Sequence, residues 1–116
     1  MTIESDIKVL IDPLCGGRCY LDVAPPLTTR PYVTFQQVGG RTIPFLEGGA
    51  PVKRNARIQV NVWADSRITA NELMRDIEDA ILSAPIYGRA LGALFSRYEE
   101  VSKLRGAQQD FSCWHT

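Results

Sequence analysis

The sequence predicts an α+β domain, an antiparallel β-sheet with two α-helices packed on one face, in the order α-β-β-β-α-β-β. Arg57 to Asp65 alternates strictly, with Ile58, Val60, Val62 and Ala64 on one side and Arg57, Gln59, Asn61 and Trp63 on the other. That is the pattern of a strand with one face on a core. Leu73, Ile77 and Ile81 recur every four residues within Ile68 to Ala84, the stripe of an amphipathic helix. Neighbouring strand patterns are joined by short turns, which favours antiparallel pairing.

The remaining elements follow in order. Ile3, Ile7, Leu10 and Ile11 fall at helical spacing, with Thr2 placed to cap, Glu4 and Asp6 in the first turn and Pro13 as a stop. Such a short helix is marginal alone, so its stripe must be buried. Gly16-Gly17 and Pro25-Pro26 bracket a short extended segment, Arg18 to Ala24. Pro31 to Val38 is rich in β-branched and aromatic residues and ends at Gly39-Gly40, which reads as a strand. Arg41 to Leu46 is a second, weaker strand, and Glu47 to Asn55 a Gly-rich loop. The long helix has two alternative caps, Ser66 or the Thr69-x-x-Glu72 capping box, and Pro85 closes it. Ala90 to Val101 fits a helix by its apolar residues. Gly88, Gly92 and a Lys103–Gly106 turn favour instead a strand hairpin closing with Gln109 to His115.

Length and charge bound the function. The 116 residues suit one domain over 1–116. Thirteen basic residues balance thirteen acidic ones, so no overall field draws the chain to nucleic acid or anionic lipid. No apolar run approaches the roughly 20 residues of a membrane span, and the acidic N-terminus does not resemble a signal peptide. Folding in a cytoplasm is expected. The odd set Cys15, Cys19 and Cys113 excludes a full disulfide framework.

Chemistry finds little support. Cys15 and Cys19 lack two further zinc ligands beyond Cys113 and the single His115. Cys113 and His115 share a strand face, yet no oxyanion or orienting motif accompanies them. Gly16-Gly17-Arg18 lacks the Gly-Lys-Ser/Thr of a phosphate loop. No catalytic, metal-binding or cofactor-binding residue is expected.

Features suited to binding are clearer. Trp63 stands on the polar side of its strand, where another segment of the chain or a partner must cover it. Arg41, Lys53, Arg54 and Arg57 against Glu47 leave segment 41–57 at plus three. Asp65, Glu72, Asp76, Glu78 and Asp79 against Arg67 and Arg75 leave segment 65–79 at minus three. Two unlike patches are what a head-to-tail ring needs. Trp63, Arg41, Lys53, Arg54, Arg57, Glu72, Asp76 and Asp79 are therefore the expected interface residues.

Gly16-Gly17-Arg18 with Pro25-Pro26, then Pro31–Val38, Arg57–Ala64 and Gln109–His115, occur in one order along nearly the whole chain. That series resembles the tail completion, or tail terminator-like, proteins of long-tailed bacteriophages and prophages. The resemblance implies a virion tail protein assembled in the host cytoplasm, a ring, commonly hexameric, that caps the tail tube and provides the surface for head joining. Its implied partners are copies of itself, the tail tube protein and a head-completion or connector protein, with no membrane. Contact with DNA would be confined to the tail lumen. The alternative reading is a DNA-binding module in a phage particle using the 41–57 basic loop, and a third is a small hydrolase centred on Cys113.

Overall fold

The computed structural model describes residues 2–41, 54–84 and 88–115. Except for Arg41, the expected weak strand at 41–46 lies outside the described residues, as do most of the 47–55 loop, Lys53 and the helix stop at Pro85. Helix α1 spans Ile3–Ile11, capped by the Thr2 hydroxyl, which accepts from the Ser5 backbone N–H at 3.1 Å. A single 3-10 turn at Asp12–Leu14 follows, and then strand β1, Cys19–Leu21, and strand β2, Tyr32–Gln37. Strand β3, Arg54–Ala64, is the eleven-residue centre of the sheet.

Helix α2 spans Arg67–Ser83, and its cap is Ser66, whose side chain accepts from the Thr69 backbone N–H. Thr69 itself lies inside the first turn, so the capping-box alternative is not the one used. Ala84 is extended, the conformation favoured for a residue that precedes proline. Strands β4, Arg89–Ala90, β5, Phe95–Glu99, and β6, Leu104–His115, complete the chain.

The sheet order is β1-β2-β3-β6-β4, with β5 also paired to β6. Segment 90–101 is therefore strand and turn, as the hairpin reading expected. The expected all-antiparallel pairing holds from β2 onward, but the sheet is mixed, because β1 runs parallel to β2. The loop from Asp22 to Pro31 carries the chain back to the start of the sheet, so that Cys19 meets Val33. The turn placed at Lys103–Gly106 also shifts. Residues 100–103 turn, and Leu104 to Gly106 already belong to β6.

Both helices lie on one face. Ile58, Val60 and Val62 from β3, Phe111 and Cys113 from β6, and Val33 and Phe35 from β2 form one buried cluster with Ile3, Ile7 and Ile11 of α1 and Leu73, Met74, Ile77 and Ile81 of α2. Burial of this apolar surface, worth roughly 25 cal/mol per Å2, is the main favourable term of the fold. Among the described residues the opposite, outer face of the sheet carries no helix. It presents Gln36, Gln59, Asn61, Trp63, Gln108 and Asp110, the alternate residues of the same strands.

Candidate functional site

Trp63 sits in register between Tyr32 of β2 and Gly106 of β6. A Cβ at Gly106 would lie 2.8 Å from Trp63 Cζ3 and 2.9 Å from Cε3. The indole therefore lies over the bare backbone of β6 and is half-buried by its own chain. Leu104, two residues earlier on the same strand side, is buried but stands apart from the core cluster. Burial and the Glu99 carboxylate push the Tyr32 phenol up, partly offset by Arg30.

The other end of the outer face is basic. An open cleft of about 420 Å3 is lined by Arg41, Arg57 and Arg89, with Gly40, Asn55 and Ser112 among its walls. Its floor is a fixed polar network. Asn55, 9% exposed, donates from Nδ2 to Ser112 Oγ at 2.8 Å and to the Cys113 carbonyl at 3.3 Å, and its Oδ1 accepts from the Arg41 backbone N–H at 2.9 Å. That contact draws the β2 exit tight against β3. Gly40, at φ 153°, makes it sterically feasible, since a Cβ there would meet the Asn55 carbonyl oxygen at 2.3 Å.

The three arginines are not equivalent. Arg57 is paired with Asp110 of β6, with Nη2 2.6 Å and Nε 2.9 Å from Oδ2. Arg41 and Arg89 are exposed and enter no salt bridge among the described residues. Arg54 is also exposed at the start of β3, opposite His115. Arg41, Arg54 and Arg57 thus share one end of the sheet, and Lys53 lies outside the described residues. Sequence reasoning missed Arg89. It reaches this end only because β4 pairs with β6 and sets Arg89 opposite Ser112, a long-range pairing with no local signal.

The acidic residues lie on the far side of the molecule. Glu72, Asp76 and Asp79 are exposed on α2, opposite its buried stripe of Leu73, Met74, Ile77 and Ile81. None of them enters a salt bridge among the described residues. Of the other charges of segment 65–79, Arg75 is exposed on the same side, and Asp65, Glu78 and Arg67 are engaged. Asp65 pairs with Arg30 at 2.8 Å, and Glu78 accepts from Gln109 Nε2 at 2.9 Å. Arg67 donates to the carbonyls of Gly106 and Arg97, tying the start of α2 to β6 and β5. The structure therefore groups Arg41, Arg57 and Arg89 on the outer side of the sheet and Glu72, Asp76 and Asp79 on the helix side, while Arg54 falls with Ala56 and Ile58 on the inner side of β3.

The cysteines are buried thiols. Burial pushes Cys19 up to about 12, with smaller contributions from Cys15 and Asp12, and burial alone pushes Cys113 up to about 11. A thiol held this high supplies almost no thiolate nucleophile at neutral pH. Among the described residues no group of three His, Cys, Asp or Glu side chains is placed to hold a metal ion, and no helix is long and apolar enough to cross a membrane.

No curated protein matches the chain. A solved chain from the virion of a native gene transfer agent particle shares the fold, with a TM-score of 0.55 and 19% identity over 90% of this chain and 82% of that one. The profile of the tail completion protein gp17 family matches residues 9–116. A two-faced sheet, with charge sorted by face, is thus found in a chain that belongs to the phage tail completion protein family, a structural component of the virion tail.

Proposed function

We propose that residues 1–116 act as one domain that associates head to tail into a closed ring, caps the tail tube and joins the tail to the head. The observation that supports this reading is the sorting of charge: an arginine-rich end on the outer face of the sheet and an exposed acidic stripe on the helix covering the inner face. Unlike patches on one protomer give a heterologous contact, which closes into a ring when the rotation between neighbours allows it. Capping is then geometric, because a ring seated on the last tube subunits occupies the surface onto which more would add. No catalytic step or cofactor enters. The partners are copies of this chain, the tail tube protein and a head-completion or connector protein, met in the host cytoplasm. A hexamer is the ring the family resemblance implies.

The test is deletion of the chain from its particle. Tails of uncontrolled length and unattached heads, seen by electron microscopy, are expected. Normal tails joined to heads would overturn the reading. A second reading, contact with DNA in the tail lumen, is favoured by the exposed Arg41 and Arg54 beside Arg57. It predicts binding to duplex DNA that weakens steeply with salt.

A further inference from the structure

Resting on that ring, we propose that the cleft of Arg41, Arg57 and Arg89 is the receptor for the Glu72, Asp76 and Asp79 carboxylates of a neighbouring copy. Three observations lead there. First, the two sets lie on opposite sides of the sheet, with α2 packed on the inner face and the cleft opening on the outer. A chain cannot seat its own acidic stripe in its own cleft, so the contact is between copies and heterologous.

Second, each set carries unspent charge. Arg57 already shares Asp110, which leaves Arg41 and Arg89 as the open cations of the cleft among the described residues. Asp65 just before α2 and Glu78 on it are engaged within the chain, which leaves Glu72, Asp76 and Asp79 as the open anions of segment 65–79 among the described residues, with Arg75 on the same exposed side. Glu72 and Asp76, four apart on one helix, repel one another, and the single Arg75 among the three carboxylates leaves the row net negative.

Third, size and rigidity fit side chains and not a whole helix. An open cleft of about 420 Å3 takes the ends of side chains, whereas a helix is about 10–12 Å across. The three carboxylates follow one another along roughly two helical turns, a projecting row that enters from above. The floor beneath them is preorganised, since Asn55 is held by Arg41, Ser112 and Cys113 at once. Arginine's fixed fork of donors suits paired recognition of carboxylate oxygens.

Charge exchange tests the assignment. In the full chain, sedimentation with and without the tail tube protein measures subunit association for Arg89→Glu, Asp76→Arg and the pair together. Both positions are exposed, and circular dichroism confirms that each variant folds. Each single reversal is expected to weaken association about tenfold, as for opposed charges at an interface, and the double exchange to restore most of it. Wild-type rings that neither reversal disturbs would overturn the cleft assignment and leave the ring intact. A wild-type chain that never assembles, even on tube protein, would overturn both. Duplex DNA binding that is lost in Arg89→Glu, with Asp76→Arg silent and the exchange giving no rescue, would assign the cleft to phosphate and also overturn it.

Discussion

The inner face of the sheet is mainly aliphatic and aromatic from β2 to β6 and lies beneath two helices, whereas the outer face of the same strands carries glutamine, asparagine, arginine and two tryptophans, Trp63 and Trp114. Ile58 and Arg57 are neighbours in sequence, and the strand turns them to opposite environments. Ile58 is fully buried, while the Arg57 side chain is 50% exposed. The inner face therefore carries the stability of the chain. The outer face, held by polar contacts and by the packing of Trp63 on Gly106, carries no helix among the described residues. Evolution of an interface on such a face costs little folding energy, because polar surface contacts contribute far less than core packing.

Substituting matched residues on the two faces gives the largest expected effect. Phe111 is fully buried and paired with Ile58 across β3 and β6. Phe111→Ala removes a ring from the centre of the cluster and leaves a cavity, at a cost of about 3–5 kcal/mol in urea unfolding. Gln59→Ala, one residue from Ile58 on the outer side, is expected to change stability by roughly 0.5 kcal/mol or less. Equal losses at the two positions would mean that the outer face is itself packed in the purified protein, and the contrast between the faces would fail.

Trp63 breaks the rule that the outer face is polar, and Gly106 explains how. The ring lies where a Cβ on Gly106 would stand, and the same Cβ would be 3.1 Å from the Val62 carbonyl oxygen. Gly106→Ala is expected to cost about 1–3 kcal/mol by overpacking. In a Trp63→Ala background most of that cost should vanish. A cost that persists without the indole would place the strain in the backbone and not in the ring.

This pair also marks the boundary of what sequence can show. Alternation in Arg57–Ala64 and the four-residue repeat of Leu73, Ile77 and Ile81 are local, so the core face was readable. Gly106 looked like a turn residue because its reason, the Trp63 ring, arrives from another strand. The parallel pairing of β1 and the approach of Arg89 to Arg57 are likewise set by long-range strand order. Arg41, Arg54 and Arg57 were legible as a basic group. That Arg57 is already tied to Asp110 was not, since the two meet only through the β3–β6 register.

The Arg57–Asp110 pair is where the smallest effect should appear, and it sharpens the comparison from the polar side. Arg57 is half exposed and Asp110 15% exposed, at 2.6 Å. An attraction open to water on one side is screened, so Arg57→Ala is expected to cost roughly 0–1 kcal/mol at low salt. The cost should fall toward zero in high salt, because the Debye length shortens to about 3 Å at 1 M. Among the described residues Asp110 Oδ1 is buried without a partner, so a loss that survives high salt would instead report a desolvated carboxylate left alone. In that outcome β6 would carry a structural charge on the outer face. The screened outcome leaves Arg57 as a cation that an arriving carboxylate can draw away from Asp110 at little cost, which is the property an assembly contact on this face requires.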